Sequence, residues 1–221
     1  SDSYNGGLYG NGQSFFDAMA YHMSRMQTNT VFTAMNQLSN HDHSRFLTRT
    51  NQVVGRIGNM GPERASENVK KCVMREAVMI QMTWPGAPTL DYGDEAGVCG
   101  WTDPDSRRTY PWGREDLELM EFHRYMAGIH KRLPALRKGA VKPLFAANQQ
   151  IAYGRMWGKY QTVTIISNLP QPTTMEIPVW QLGGNDEDIL GRPILTTEEG
   201  YNAGILFYYV KDGILKVRMP A

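Results

Sequence analysis

The spacing of apolar residues changes along this chain, and the change lies near residues 134–139, within the segment RLPALRKGA. Before that segment, apolar side chains recur every three to four residues in three stretches, which predicts three amphipathic helices. These stretches are Phe16 to Met23, Val69 to Ile80 and Leu119 to Leu133. After it, short apolar runs alternate with turn residues. The chain is therefore predicted to have two different halves.

Residues near the ends of the predicted helices indicate where those helices start and stop. Ser14 is a candidate N-cap of the first helix, because a hydroxyl can accept a free backbone N–H. The segment GPERASEN, with proline at the first helical position, is a candidate start of the second. Pro85 is predicted to end that helix after Trp84.

Two short apolar runs lie between the helices, TAMNQL at residues 33–38 and APTLDYG at residues 87–93. Both are followed by polar residues and are predicted to be buried strands. The order strand, polar loop, helix is that of a parallel βα repeat, whose strands need sheet neighbours on both sides. Two such strands alone cannot supply those neighbours.

The second half predicts an antiparallel sandwich of about 80 residues, because short strands are joined by turn sequences such as Asp212-Gly213. The predicted strands are Gln150–Trp157, Gln161–Ser167, Thr173–Val179, Ile205–Val210 and Ile214–Met219. We place the domain boundary between residues 1–135 and residues 136–221.

Charge and composition exclude some classes of partner. The chain has 23 lysine and arginine residues against 22 acidic ones, so it has no strong field to attract nucleic acid or an acidic membrane. It also has no run of about eighteen apolar residues that would span a bilayer. A neutral partner is expected.

The cysteines and histidines show no metal-ligand spacing. Cys72 and Cys99 lie far apart, which argues against a disulfide framework and favours a reducing, cytoplasmic location, with secretion as the open alternative. Four histidines are scattered over helices and a loop, and no metal site is predicted from them: His22, His43, His123 and His130.

Polar side chains follow each predicted strand of the first half. Asn40-His41-Asp42 comes after the first strand, with Arg45 three residues further on. The second strand leads into TLDYGDEAG at residues 89–97 and then DPDSRRTYPW at residues 103–112. In a parallel barrel the loops after the strands form the active-site face, so these loops are the candidate site.

These segments carry a resemblance to a known family. NQLSNHDHSRF resembles the fourth conserved region of glycoside hydrolase family 13, the α-amylase family. TLDYGDEAG followed by DPDSRRTYPW resembles the eighth-strand loop of its neopullulanase, cyclomaltodextrinase and maltogenic-amylase branch. The resemblance extends through HKRLPALRKG to the terminal strand. It implies the last βα units of a (β/α)8 TIM barrel, an α/β fold, followed by an antiparallel Greek-key β-sandwich.

The resemblance also implies roles for four residues. Asp42 matches a third invariant carboxylate, the transition-state stabiliser that grips sugar hydroxyls at the cleavage subsite. His41 matches the histidine that binds the same sugar, and Asp103 with Arg107 matches a pair that holds a glucose further along the non-reducing side. A fixed carboxylate and tightening hydrogen bonds would stabilise an oxocarbenium-like transition state.

Four neighbouring residues are interpreted as structural. Arg45 is expected to bond loop carbonyls or a carboxylate, and Tyr92, Asp94 and Glu95 are expected to shape the loop. No cofactor is expected in this segment. Calcium sites in the family usually involve earlier segments, so calcium in a parent enzyme stays open.

The chain departs from the family in one respect that decides activity. Retaining hydrolysis needs a nucleophile and a separate acid/base, which the family carries in motifs of the type GxRxD and ExW. Neither motif occurs in these 221 residues. We therefore expect part of a retaining enzyme acting on maltodextrins, cyclodextrins or pullulan, inactive alone. The alternative is a stand-alone carbohydrate-binding, structural or interaction module.

The expected partners are an α-glucan and the N-terminal part of the barrel. The first six barrel strands have no counterpart in this sequence, so unpaired strand edges and an apolar face are expected to promote self-association or rearrangement of the first 130 residues.

Overall fold

A computed structural model describes residues 8–220, which form two compact units. The first unit contains Met35–Arg132 and Thr196–Tyr201. The second contains the described residues 8–34, 133–195 and 202–220. The domain boundary between residues 1–135 and 136–221 stays a prediction about the parent fold, and residues 1–7 and 221 lie outside the described part.

The chain forms short helices and strands throughout. The α-helices are α1 Gly12–Met23, α2 Thr28–Thr33, α3 Phe46–Arg49, α4 Ile57–Met60, α5 Lys71–Thr83, α6 Leu117–Arg132 and α7 Pro134–Lys138. The strands are β1 Met35–Asn36, β2 Ala87–Pro88, β3 Ala140–Ala147, β4 Gln150–Trp157, β5 Tyr160–Ser167, β6 Thr173–Ile177, β7 Asp188–Gly191, β8 Ile194–Thr196, β9 Tyr201–Ala203, β10 Leu206–Lys211 and β11 Ile214–Met219.

The three predicted long helices are confirmed as α1, α5 and α6, but two of their starts differ from prediction. The N-cap of α1 is Asn11, whose side chain accepts the backbone N–H of Ser14, so Ser14 is not the cap. The segment GPERASEN forms a separate 3-10 turn at Glu63–Ser66, and α5 begins only at Lys71. The predicted end of α5 before Pro85 is confirmed, with Trp84 as its C-cap.

The two parallel strands of the first unit are shorter and more exposed than predicted. β1 and β2 pair over two residues each, Met35 with Ala87 and Asn36 with Pro88. Met35 is largely exposed, so the prediction of buried strands is wrong for this chain. A parallel strand is buried when neighbours and helices cover it, and β1 and β2 pair only with each other among the described residues. No closed barrel is present in that part of the chain.

Helices α5 and α6 pack together and form the apolar centre of the first unit. The buried side chains are Met74, Val78 and Met82 on α5 and Leu119, Phe122 and Met126 on α6. They recur at helical spacing, which is the pattern that predicted these helices.

The first unit also includes the segment Thr196–Tyr201, which is anchored by Arg75 of α5. Arg75 is fully buried, and its guanidinium donates to the Thr196 hydroxyl at 2.9 Å and to the Thr197 carbonyl at 2.5 Å. It also forms an ion pair with Glu118 of α6. A buried arginine needs such partners, because an unpaired buried charge is costly. Residues far apart in sequence therefore complete one unit.

The second unit is built on antiparallel sheets. One sheet has the order β6-β11-β10-β7 and another the order β3-β4-β5. Residues of both sheets share one hydrophobic core, which includes Leu144 and Ala152 from one sheet and Ile177, Val210 and Val217 from the other. The predicted antiparallel sandwich is confirmed, and with the helices and parallel pair that precede it, so is the predicted fold class.

Strand predictions in the second half differ in accuracy. The bounds of β4 and β11 are as predicted, whereas β3 was missed. β3 contains Pro143, which cannot donate to a sheet ladder, and the register shifts between Pro143 and Phe145. Such a proline is tolerated because β3 is an edge strand. The segment interpreted as a break at 134–139 is the short helix α7.

Cys72 and Cys99 are free thiols. Within residues 8–220, no helix has both the length and the apolar character that crossing a bilayer requires.

Candidate functional site

The candidate site lies in the first unit, where two loops follow the parallel strands β1 and β2. Because the strands are parallel, the loops leave the sheet at the same edge. Side-chain amides extend this short pairing. The Gln81 amide donates to the carbonyls of Asn36, at 3.0 Å, and Thr89, at 2.9 Å. The starts of both loops are thereby tied to the buried helix α5.

The first loop presents His41 and Asp42 to solvent. The Asn40 side-chain oxygen accepts the backbone N–H groups of Asp42 at 3.0 Å and His43 at 3.1 Å, which fixes the turn. The side chains of His41 and Asp42 are 64% and 69% exposed, and their Nε2 and Oδ1 atoms lie 3.4 Å apart. Both can therefore reach a ligand.

The second loop presents Asp103 and Arg107. Arg107 Nε donates to Asp103 Oδ1 at 2.5 Å, and about half of each side chain is exposed. This hydrogen bond is the main cause that raises the pKa of Arg107, and the negative charge of Asp42 raises it further. Asp42 therefore lies within electrostatic reach of this pair.

The two loops are joined by a buried serine. The Ser106 hydroxyl donates to the His41 carbonyl at 2.9 Å, and the Ser106 carbonyl accepts Arg45 Nε at 2.7 Å. Ser106 is almost completely buried, so water does not compete strongly for these bonds. This connection sets the position of the first loop relative to the second.

Arg45 is buried beneath the site and holds the second loop in place. Its guanidinium lies among polar atoms of the second loop: Nη1 donates to the Tyr92 carbonyl at 2.8 Å and approaches the carboxylates of Asp91, at 2.9 Å, and Asp94, at 3.2 Å. The side chain has no exposed surface. The interpretation of Arg45 as a structural arginine is confirmed.

Asp94 and Glu95 shape the second loop, as predicted. The Ser39 hydroxyl donates to Asp94 Oδ1 at 2.9 Å, and Glu95 Oε2 accepts the backbone N–H of Gly93 at 3.0 Å. Burial raises the pKa of Asp94 to about 6, although the bond from Ser39 and the charge of Arg45 act in the opposite direction. The ionised carboxylate is therefore held at a cost in solvation.

The structure brings the four predicted site residues to two adjacent, exposed loops. Their roles in binding and catalysis stay predictions. Sequence reasoning missed Ser39 and Ser106, whose hydroxyls link the loops, since a serine in a polar segment gives no periodic signal. An exposed carboxylate, imidazole and guanidinium with nearly balanced charge suit the hydroxyls of a neutral polyol better than a strongly charged ligand.

Comparison with known proteins gives sequence relatives that act on α-glucans by name. No family model matches the chain. The amylopullulanase of Thermoanaerobacterium thermosulfurigenes is 38% identical over 127 residues, which cover 56% of this chain and 7% of that protein. Neopullulanase 2 of Thermoactinomyces vulgaris is 31% identical over 153 residues, covering 67% of this chain and 23% of that protein.

Solved structures have the same fold over nearly the whole chain. The α-amylase of Geobacillus thermoleovorans, solved with acarbose, has a TM-score of 0.71 at 20% identity, covering 95% of this chain and 41% of that one. A debranching enzyme of Nostoc punctiforme has a TM-score of 0.69 at 22% identity, covering 96% and 38%. The chain thus spans less than half the length of each protein compared.

Proposed function

Because this chain belongs to the α-amylase family of glycoside hydrolases and matches the C-terminal region of its members, we propose that it forms one side of the substrate cleft of a retaining enzyme. That enzyme hydrolyses or transfers α-glucosidic bonds in maltodextrins, cyclodextrins or pullulan. The names of the relatives, amylopullulanase and neopullulanase, support this class of substrate.

The observation that carries the proposal is the pairing of two exposed polar loops. One loop carries His41 and Asp42, and the other carries Asp103 and Arg107. The Ser106 hydroxyl joins the two loops, and the buried Arg45 donates to the Ser106 carbonyl. In the proposed cleft, Asp42 stabilises the positive charge that develops at the anomeric carbon. His41 holds the same sugar, and the Asp103–Arg107 pair holds a sugar further from the cleaved bond.

The two carboxyl groups that break the bond come from outside these 221 residues. A retaining enzyme needs a nucleophile and an acid/base about 5 to 5.5 Å apart. No GxRxD or ExW motif occurs in the sequence to provide them. The chain by itself should therefore not turn over maltotriose or a nitrophenyl maltoside, and measurable release of product by the purified chain would contradict the proposal.

Titration with maltoheptaose separates this proposal from the alternative of a stand-alone carbohydrate-binding module. One side of a cleft should show no saturable binding by calorimetry. Saturation in the micromolar to millimolar range would instead favour the binding module.

The role of Asp42 is tested in the polypeptide that carries both this chain and the catalytic pair, which consists of the nucleophile and the acid/base. Asp42→Asn keeps the size of the side chain and removes its charge, so kcat should fall by roughly 100-fold or more. Asp17→Asn, at an exposed position on α1, is the matched control and should leave kcat unchanged. A kcat for Asp42→Asn within twofold of the unchanged enzyme would refute the role.

Self-association of the isolated chain is part of the proposal. β1 pairs only with β2 among the described residues, and 64% of the surface of Met35 is exposed. The free edge of β1 can therefore pair with a strand of another copy. Sedimentation velocity should show a concentration-dependent oligomer. A clean monomer with a first half protected from hydrogen exchange would count against it.

A further inference from the structure

Tyr92 differs from the residues that follow it in the second loop. Gly93 and Asp94 are buried, whereas 47% of the surface of Tyr92 is exposed. A large aromatic ring whose neighbours along the chain are buried normally packs into the core. Its exposure beside the candidate site therefore needs an explanation.

The exposed ring is held in place by contacts at both ends and on one face. The Tyr92 carbonyl accepts Arg45 Nη1 at 2.8 Å, and the guanidinium carbon of Arg45 lies 4.8 Å from the ring centroid. The Tyr92 hydroxyl donates to the Arg108 carbonyl at 2.9 Å. Arg108 is itself fixed by two hydrogen bonds to Asp105, at 3.0 and 2.7 Å. The ring is thus preorganised and would lose little rotamer freedom on binding a ligand.

Tyr92 also borders the residues of the candidate site. The pKa of Arg107 is raised first by its hydrogen bond to Asp103 and further by Asp42 and by the phenol of Tyr92. The Ser106 carbonyl and the Tyr92 carbonyl both accept from the same Arg45 guanidinium. Hydrogen-bonding groups and a flat apolar surface therefore occur side by side.

We propose that the exposed face of Tyr92 is a stacking surface for a glucose ring of the bound α-glucan. A pyranose ring presents C–H groups on its faces and hydroxyls around its edge. The stacked glucose would be the one held by Asp103 and Arg107, further from the cleaved bond: the aromatic face would cover its C–H groups while that pair satisfies its hydroxyls. This inference rests on the proposed function and assigns Tyr92 a role in substrate binding in addition to shaping the loop.

The experiment uses the polypeptide that carries this chain and the catalytic pair. Tyr92→Met keeps apolar volume over Arg45 and removes the flat face, and should raise KM for maltoheptaose about 2- to 10-fold. Tyr92→Phe keeps the face and removes the bond to Arg108, and should leave KM within twofold. Tyr160→Met is the matched control, since Tyr160 is also 47% exposed, in the other unit. It should leave KM unchanged.

Three kinetic results would overturn the inference: equal effects of Tyr92→Phe and Tyr92→Met, no effect of either, or the same loss with a nitrophenyl α-glucoside too short to reach a second subsite. Asp42→Asn keeps this failure separate from failure of the proposed function. If Asp42→Asn is inactive while Tyr92→Met is unchanged, only the role of Tyr92 is refuted.

A second measurement does not depend on the folding of any variant. A non-hydrolysable thio-linked maltooligosaccharide is added to the unchanged polypeptide carrying carbon-13 in its tyrosine rings. The ring resonances of Tyr92 should shift and those of Tyr160 should not. An unshifted Tyr92 at saturating ligand would also refute the stacking role.

Discussion

Replacing Arg45 with methionine should destabilise the first unit more than any surface change. Arg45 has no exposed surface and faces the carboxylates of Asp91 and Asp94, while its Nε donates to the Ser106 carbonyl. Removing one partner of a buried ion pair costs about 3–5 kcal/mol, because the other charge remains buried without compensation. We expect Arg45→Met to lower the free energy of unfolding of the first unit by about that amount.

The cause of this loss of stability can be tested by also removing a carboxylate charge that Arg45→Met leaves buried without a partner. The double variant Arg45→Met with Asp94→Asn should regain part of the lost stability, because a neutral amide at position 94 can still accept from Ser39. The penalty should also be smaller at pH 5 than at pH 8. Loss of the Arg45 charge raises the pKa of Asp94 further, so that a proton neutralises it more readily.

The assay must report on one unit, since two units can unfold separately. Trp101 is buried in the first unit and its indole donates to the Gly61 carbonyl, whereas Trp157 lies in the second. Fluorine NMR of fluorotryptophan-labelled protein in urea can follow each residue. Arg64→Met is the control, since the exposed Arg64–Glu67 pair at 3.7 Å should contribute less than about 1 kcal/mol.

Two outcomes would refute this account of Arg45. The first is a loss below about 1 kcal/mol for Arg45→Met, comparable with the exposed control. The second is a double variant that is no more stable than the single one at pH 8.

Two further predictions concern single residues. Burial raises the pKa of Asp94 from its ordinary 3.8 to about 6, so the native state binds more protons between these values and the free energy of unfolding falls as pH rises through them. Relative to Asp94→Asn, urea titrations should show a loss of about 3 kcal/mol across this window, and a gain would contradict the assignment. Gly154→Ala would place a Cβ 2.3 Å from Leu182, so it should lower sandwich stability by about 1–3 kcal/mol in thermal unfolding. Gly58→Ala in α4, with open space around it, should be neutral or slightly stabilising, and equal losses in both variants would argue against the steric cause.

The sequence predicts best those elements whose pattern repeats over several turns. The apolar periodicity of α5 and α6 extends over three or more turns, so their existence was predictable although the start of α5 was not. The lengths of β1 and β2 depend on sheet neighbours, which local sequence does not encode. β3 was not predicted because it contains Pro143, which argues against a strand inside a sheet. Proline is tolerated there because β3 lies at the edge of its sheet, and that position depends on the whole sheet and not on local sequence.

The candidate site was predictable in its exposed residues and not in its support. His41, Asp42, Asp103 and Arg107 belong to motifs that can be found by eye, and the structure places them on neighbouring loops. The bond from Ser106 to the first loop spans 65 positions in sequence, and no local pattern indicates it. The rigidity of the exposed Tyr92 ring likewise depends on tertiary contacts with Arg45 and Arg108.

The anchoring of Thr196–Tyr201 by Arg75 has a consequence for synthesis on the ribosome. The two acceptors of Arg75 in that segment lie 121 and 122 residues further along the chain. At about 5–20 residues per second, α5 emerges roughly 6 to 25 seconds before these two acceptors are made, although Glu118, the ion-pair partner of Arg75, lies only 43 residues along the chain. During that interval α5 and α6 can already form the Arg75–Glu118 ion pair, but Arg75 Nη1 lacks its two final acceptors, so the first unit is completed only after residues 196–201 have been synthesised.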